Sequence, residues 1–261
     1  GVTVEGMAFN HGWLAVAGST TGARLEVTHA SVENDGAEAI WDSTGLRTVG
    51  FVLVFDTAGA LKAYKTFAPD TERGVAEIVD IAAFPFDNSI GFAALGQYDS
   101  AVNNAQFSPR GGNDHLLAIL KYDSFETAKD RALSVHESVA WGLPESFANG
   151  DDERAACLAV DAATRRIYVG GSVPDGDGSL WGEVDEANEG WDDKTIDTRG
   201  GRGWFVAAFD SNLSLLRVAY EGGGGTSAIH DLTLGSDNHL YAVGTFSGAL
   251  DTLCGSASDA H

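Results

Sequence analysis

The chain has 261 residues and a formal net charge of −22, from 38 Asp and Glu against 16 Lys and Arg. A surface this acidic repels phosphate backbones and anionic lipid heads, which sets aside nucleic acid and membrane surfaces as partners. No stretch approaches the ~20 apolar residues needed to span a bilayer, and 44% hydrophobic content excludes wholesale disorder and allows a core without staples.

Glycine is abundant (33 residues) and proline scarce (5), as suits many tight turns between strands. In chain order, the first predicted hairpin pairs Val4–Asn10 with Trp13–Gly18 through Asn10-His11-Gly12. A polar insertion, Ser19–Gly50, carries Trp41. A second hairpin follows, Phe51–Asp56 with Leu61–Phe67, turning at Thr57-Ala58-Gly59. The same order returns as Ile78–Phe84 with Phe92–Gly96, an insertion Gln97–Asp114, and Leu116–Asp123 with Ala128–Val135. After a further insertion, Glu137–Arg154 with Trp141, come Cys157–Asp161 with Ile167–Gly171. The insertion Ser172–Gly203 contains Trp181 and Trp191, and precedes Trp204–Asp210 with Leu215–Tyr220. The last predicted pair is Ile229–Leu234 with Leu240–Thr245.

This is a repeat. The closing glycines Gly18, Gly96, Gly171 and Gly244 stand 78, 75 and 73 residues apart. Repeat boundaries fall near 1–74, 75–154, 155–225 and 226–261, as parts of a single domain. Runs such as Phe51-Val52-Leu53-Val54-Phe55 are continuously apolar, as expected of strands covered on both faces. Four antiparallel strands per repeat predict an all-β fold, a β-propeller of four-stranded blades. About three and a half repeats of ~75 residues are visible, and the final one halts midway, so the expectation is a piece of a longer chain.

The residues also resemble a known family. Ile167-Tyr168-Val169-Gly170-Gly171-Ser172, then Trp204-Phe205-Val206-Ala207-Ala208-Phe209-Asp210-Ser211-Asn212, is similar to the bacterial and archaeal seven-bladed β-propeller repeat abbreviated SBBP. Leu240-Tyr241-Ala242-Val243-Gly244-Thr245-Phe246-Ser247-Gly248 follows the same pattern. The resemblance is good over the last 110 residues or so and approximate before them. It implies an extracytoplasmic propeller of secreted or surface proteins and carries no shared active-site motif.

Candidate sites lie in the insertions, because long segments between strands are where binding residues concentrate. In Asp175-Gly176-Asp177-Gly178-Ser179 the oxygens of Asp175, Asp177 and Ser179 alternate with glycines, a spacing that can wrap Ca²⁺. Leu180 stands where an EF-hand needs glycine, so that assignment fails, and a flexible acidic turn explains the same residues. Trp41, Trp141, Trp181 and Trp191 are candidate anchors for a protein interface or stacking platforms for surface glycans; plugging the insertions onto the propeller is the bland alternative. Asp56, Asp123 and Asp210 open turns, where a carboxylate accepts local amides. Cys157 reads as a small buried hydrophobe, with a bridge to Cys254 as the alternative. The seven histidines form no zinc pattern, and no nucleophile elbow or phosphate loop is present.

The expected function is therefore a non-enzymatic structural or adhesive module, extracellular or on the cell surface. It would contact proteins, copies of itself or glycans, without catalytic residues or a required cofactor. A carbohydrate-active hydrolase or lyase, using carboxylates at the propeller's central mouth, is the alternative.

Overall fold

The computed structural model describes residues 1–22, 24–27, 38–42, 47–102, 114–122, 133–141, 154–173, 177–179, 195–197, 202–221 and 225–247. Among the described residues every regular element is a strand: β1 (Val2–Asn10), β2 (Trp13–Thr21), β3 (Arg24–Val27), β4 (Glu38–Asp42), β5 (Thr48–Phe55) and β6 (Leu61–Phe67). There follow β7 (Ala76–Pro85), β8 (Ile90–Tyr98), β9 (Asp114–Tyr122), β10 (Ser134–Trp141), β11 (Arg154–Asp161) and β12 (Arg166–Val173). The last are β13 (Asp177–Ser179), β14 (Thr195–Asp197), β15 (Gly203–Phe209), β16 (Leu215–Glu221), β17 (Ser227–Leu234) and β18 (Leu240–Phe246).

They form three four-stranded antiparallel sheets, β1-β2-β5-β6, β7-β8-β9-β10 and β11-β12-β15-β16, and a two-stranded sheet, β17-β18. The predicted strand pairs are those observed, with one correction. The fourth strand of the second sheet is Ser134–Trp141, not Ala128–Val135, so the supposed insertion Glu137–Arg154 begins as sheet, from Glu137 to Trp141. A second correction concerns the insertions of the first and third repeats. Each carries a hairpin of its own, β3–β4 and β13–β14.

Successive sheets face one another through apolar side chains. Ala15, Val52, Val54 and Phe67 of the first sheet pack with Ile78, Phe92, Ala118 and Leu120 of the second. Leu95, Leu117 and Ile119 on the other face of the second sheet meet Val169, Phe205 and Phe209 of the third. The third sheet's far face, with Cys157 and Ala159, meets Ile229 and Leu232 of the fourth. Middle strands are thus covered on both sides, which is why β5 and β9 are apolar without alternation. Each large side chain so enclosed is worth about 1.5–3 kcal/mol over its exposed state. The hairpin β3–β4 buries Leu25 and Ile40 against Phe51, Leu53 and Leu61, on the first sheet's face turned away from the second.

Chain direction sorts the connections. Within each sheet the turns joining first to second and third to fourth strands lie at one end. The links from second to third strand, and from each sheet to the next, lie at the opposite end. Among the described residues, the first end holds tight turns. At β1–β2 both central residues, His11 and Gly12, have positive φ (48° and 86°), the twist a two-residue hairpin needs. At β5–β6 Asp56 Oδ1 accepts the Ala58 and Ala60 amides (both 2.9 Å), and at β15–β16 Asp210 Oδ1 accepts those of Asn212 and Ser214 (2.9 and 2.8 Å). The two turns correspond residue for residue, with Gly59 (φ 77°) matched by Leu213 (φ 59°). The Ala60 amide, with Lys62 and the Ala58 amide, holds the Asp56 carboxyl below the ordinary range. Both aspartates therefore shape turns, and Asp123 lies outside the described residues.

Candidate functional site

The first strand of every sheet lies against the first strand of the next: β1 on β7, β7 on β11, β11 on β17. Each of these four strands carries a bulge at the same register: between Val4 and Gly6, Ile78 and Asp80, Ala155 and Cys157, and Ile229 and Asp231. A bulge leaves an unpaired residue and frees backbone groups from the ladder. Immediately after it stand Gly6, Asp80, Cys157 and Asp231, four equivalent positions in a row along the first strands.

The row alternates between residues with and without a carboxylate, and the hydrogen bonds follow. Asp80 Oδ1 accepts the amide of its neighbour Ile81 (2.7 Å), and Asp231 Oδ1 does the same for Leu232 (2.8 Å). Cys157 has no such oxygen, and the equivalent amide, of Leu158, donates instead to Asp80 Oδ2 across the sheet boundary (2.7 Å). One carboxylate thus serves two sheets. Gly6 is small for a related reason: a Cβ there would lie 3.2 Å from Asp80 Oδ1 and from the Ile81 nitrogen.

Burial raises the Asp80 carboxyl to about 6 against the pull of its two amide bonds, and the charge of Asp231 adds to the rise. Burial likewise pushes the Cys157 thiol up to about 12, helped by the charges of Asp80 and Asp231, while its Sγ donates to the Gly170 carbonyl (3.7 Å). A thiol so placed is protonated and enclosed, unsuited to nucleophilic or metal-binding work. Cys157 is free in this structure, and Cys254 lies outside the described residues. What the row can do chemically is satisfy backbone donors freed by bulges and hold neighbouring sheets in register.

Other junction contacts recur too. The Asn10 amide, at the end of β1, donates to the Phe84 and Gly91 carbonyls of the second sheet (3.1 and 2.8 Å). At the opposite end Thr48 bridges Val75, and Arg202 bridges Thr226, both in parallel, so the third strand of one sheet touches the start of the next.

The residues proposed from the sequence are placed unevenly. Trp141 is corrected: it ends strand β10, is buried, and its ring lies 5.8 Å from that of Phe209 and 5.6 Å from that of His115. It joins the second sheet to the third and offers no free ring to a partner. Trp41 lies on β4 opposite Leu25, but its side chain is outside the described residues, as are Trp181, Trp191 and Asp175. Asp177 and Ser179 lie on β13 opposite Asp197 and Thr195, and their side chains too are outside the described residues. Among the described residues no three His, Cys, Asp or Glu side chains converge to hold a metal ion, and no helix is long and apolar enough to cross a membrane. Asp80 and Asp231 are not among the residues singled out from the sequence, although an acid recurring between flanking apolar residues in two first strands, Ile78-Val79-Asp80-Ile81 and Ile229-His230-Asp231-Leu232, is a visible signal. A scan against protein-family models finds no match, and a search of curated proteins finds no similar sequence.

Proposed function

We propose that the chain is part of a β-propeller that serves outside the cell as a non-enzymatic structural or adhesive module. Its sheets would be blades, its row of inner strands would line the axis, and the end bearing the long connections would be the contact surface. The observation that supports this reading is the junction repeated three times between consecutive first strands, from β1 through β7 and β11 to β17. Face-to-face sheets joined in this way make a rigid platform, and segments 23–47, 99–113, 142–153 and 174–202 all leave it at the same end. Aromatic and acidic side chains in those segments would supply anchors for a protein partner, a second copy or a surface glycan. Asp175, Asp177 and Ser179 would bind Ca²⁺ and stiffen the contact surface.

Replacing residues 28–37 and 180–194 with short Gly/Ser linkers tests the contact role. The variant should keep the wild-type melting transition and lose attachment to the surface that the wild type binds. Unchanged attachment would refute the reading. Melting with and without EDTA tests the calcium element, and coincident curves would remove it.

The alternative, a carbohydrate-active hydrolase or lyase, draws on the raised carboxyl of Asp80 near Asp231 at the inner edge. Asp80 already accepts two backbone amides with its two oxygens, an arrangement that serves structure. Polysaccharide cleavage lost in both Asp80→Asn and Asp231→Asn would favour the enzyme.

A further inference from the structure

We infer that Asn212 is a site of N-linked glycosylation, the acceptor of an oligosaccharide from a lipid-linked donor. The inference rests on the reading that the chain serves outside the cell, and it adds a site that this reading does not name. Asn212-Leu213-Ser214 has the Asn-x-Ser spacing that sugar transfer to asparagine requires, and its middle residue is not proline. None of the other nine asparagines stands two residues before a Ser or Thr, so the chain offers this triplet once.

The triplet forms the turn between β15 and β16. Asn212 and Ser214 are exposed, whereas Leu213 is buried in the cluster that joins the second and third sheets. Asp210 holds this turn through backbone groups: its Oδ1 accepts the Asn212 and Ser214 amides (2.9 and 2.8 Å), and its own amide donates to the Ser214 carbonyl (3.0 Å). Among the described residues neither the Asn212 carboxamide nor the Ser214 hydroxyl makes a hydrogen bond. The β5–β6 turn is an internal control. It has the same frame around Asp56, with Ala58 in the place of Asn212 and Ala60 in the place of Ser214. A turn of this shape thus needs neither polar side chain, and both are free for a transferase to read. A bulky, hydrated sugar is tolerated at such a surface position without loss of packing. Because Leu213 is enclosed in the folded chain, transfer precedes docking of the hairpin, and folding then sets the sugar outward.

The donor is an oligosaccharide joined through its anomeric carbon to a lipid diphosphate. A bond forms between Asn212 Nδ2 and that carbon while the bond from the carbon to the phosphate oxygen breaks. The lipid diphosphate leaves with the electron pair, and Nδ2 gives up one proton. The turn lies at the end opposite the long connections, so the sugar faces away from the surface proposed for contact.

Mass spectrometry of the full protein made in its own source cells, combined with cell fractionation, reads the outcome. Trypsin releases the peptide Gly203–Arg217, which in the exported protein should carry the added mass of an oligosaccharide. Asn212→Gln and Ser214→Ala should each abolish that mass, and Ser214→Thr should keep it. An exported protein whose Gly203–Arg217 peptide is unmodified would overturn the inference and leave the outside-the-cell reading standing. A sugar on this peptide that survives Asn212→Gln would overturn it as well. A protein retained in the cytosol would overturn the reading beneath it, and the inference with it.

Discussion

Asp80→Asn isolates the energetic consequence of placing a charged group between two sheets. The substitution keeps shape and removes ionisation. In the folded chain the Asp80 carboxyl is raised from 3.8 to about 6 by burial, so the folded state holds its proton where the unfolded state has lost it. Between roughly pH 4 and 6 the native state therefore binds more protons, and this group's contribution to stability falls as pH rises through that window. At about 1.36 kcal/mol for each pH unit between those two values, the contribution is about 3 kcal/mol, fully lost above about pH 6 and fully regained below about pH 4. The asparagine oxygen can accept one of the two backbone amides but its NH2 group cannot accept the other, so the variant should be less stable than wild type near pH 4 by about 1–3 kcal/mol. By pH 7 the difference should have moved in the variant's favour by about 3 kcal/mol. Urea unfolding at unit intervals from pH 4 to 7, followed by circular dichroism, measures the difference directly. Titration of the other acids is common to both proteins and cancels. Parallel stability curves across the window would refute the placement of Asp80 in a dry junction.

Asn10→Ala removes both hydrogen bonds that tie the first hairpin to the Phe84 and Gly91 carbonyls, and should cost about 2 kcal/mol in the same assay. Gly59→Ala should cost about 1 kcal/mol from positive φ alone, since nothing lies within 4 Å of the added Cβ. Leu213→Gly at the matching position relieves the same backbone strain but empties a buried site, so a net loss of about 2 kcal/mol should appear in urea melts. In a Cys254→Ser background Cys157 should resist iodoacetamide at pH 8 in native buffer and react fully in urea, because its thiol is enclosed and pushed up to about 12. Rapid native labelling would mean that the fourth sheet does not cover the third.

Strand pairs are legible in the sequence because their signals are local. The Gly-terminated phrases mark second strands, continuous apolar runs mark strands covered on both faces, and Asp56 and Asp210 announce their turns by type and position. The β10 strand lies several residues beyond its predicted position. Its inward and outward positions, from Ser134 to Trp141, mix Val, His, Glu and Ser, so no alternation fixes the register. The hairpin β3–β4 is invisible to local pattern because strands of four and five residues are too short, although Leu25 and Ile40 are the side chains that anchor it. Trp141 reads as an interface anchor because tryptophans in polar surroundings invite that assignment; its burial depends on Phe209, 68 positions away in the numbering, which local pattern cannot reveal. The row along the first strands needs three-dimensional register. Only the shared bulge shows that Gly6, Asp80, Cys157 and Asp231 are equivalent, and that a carboxylate on one sheet answers an amide on the next.

The account rests on consecutive sheets meeting through their first strands, and a ¹H–¹⁵N NMR titration of the 27.3 kDa chain tests this most directly. The amides of Ile81 and Leu158 both donate to Asp80, one from its own strand and one from the next sheet. Both should shift with a single shared midpoint near pH 6, and both responses should vanish in Asp80→Asn. An Ile81 amide that titrates while the Leu158 amide stays silent would contradict the arrangement, because β7 and β11 would then not be neighbours.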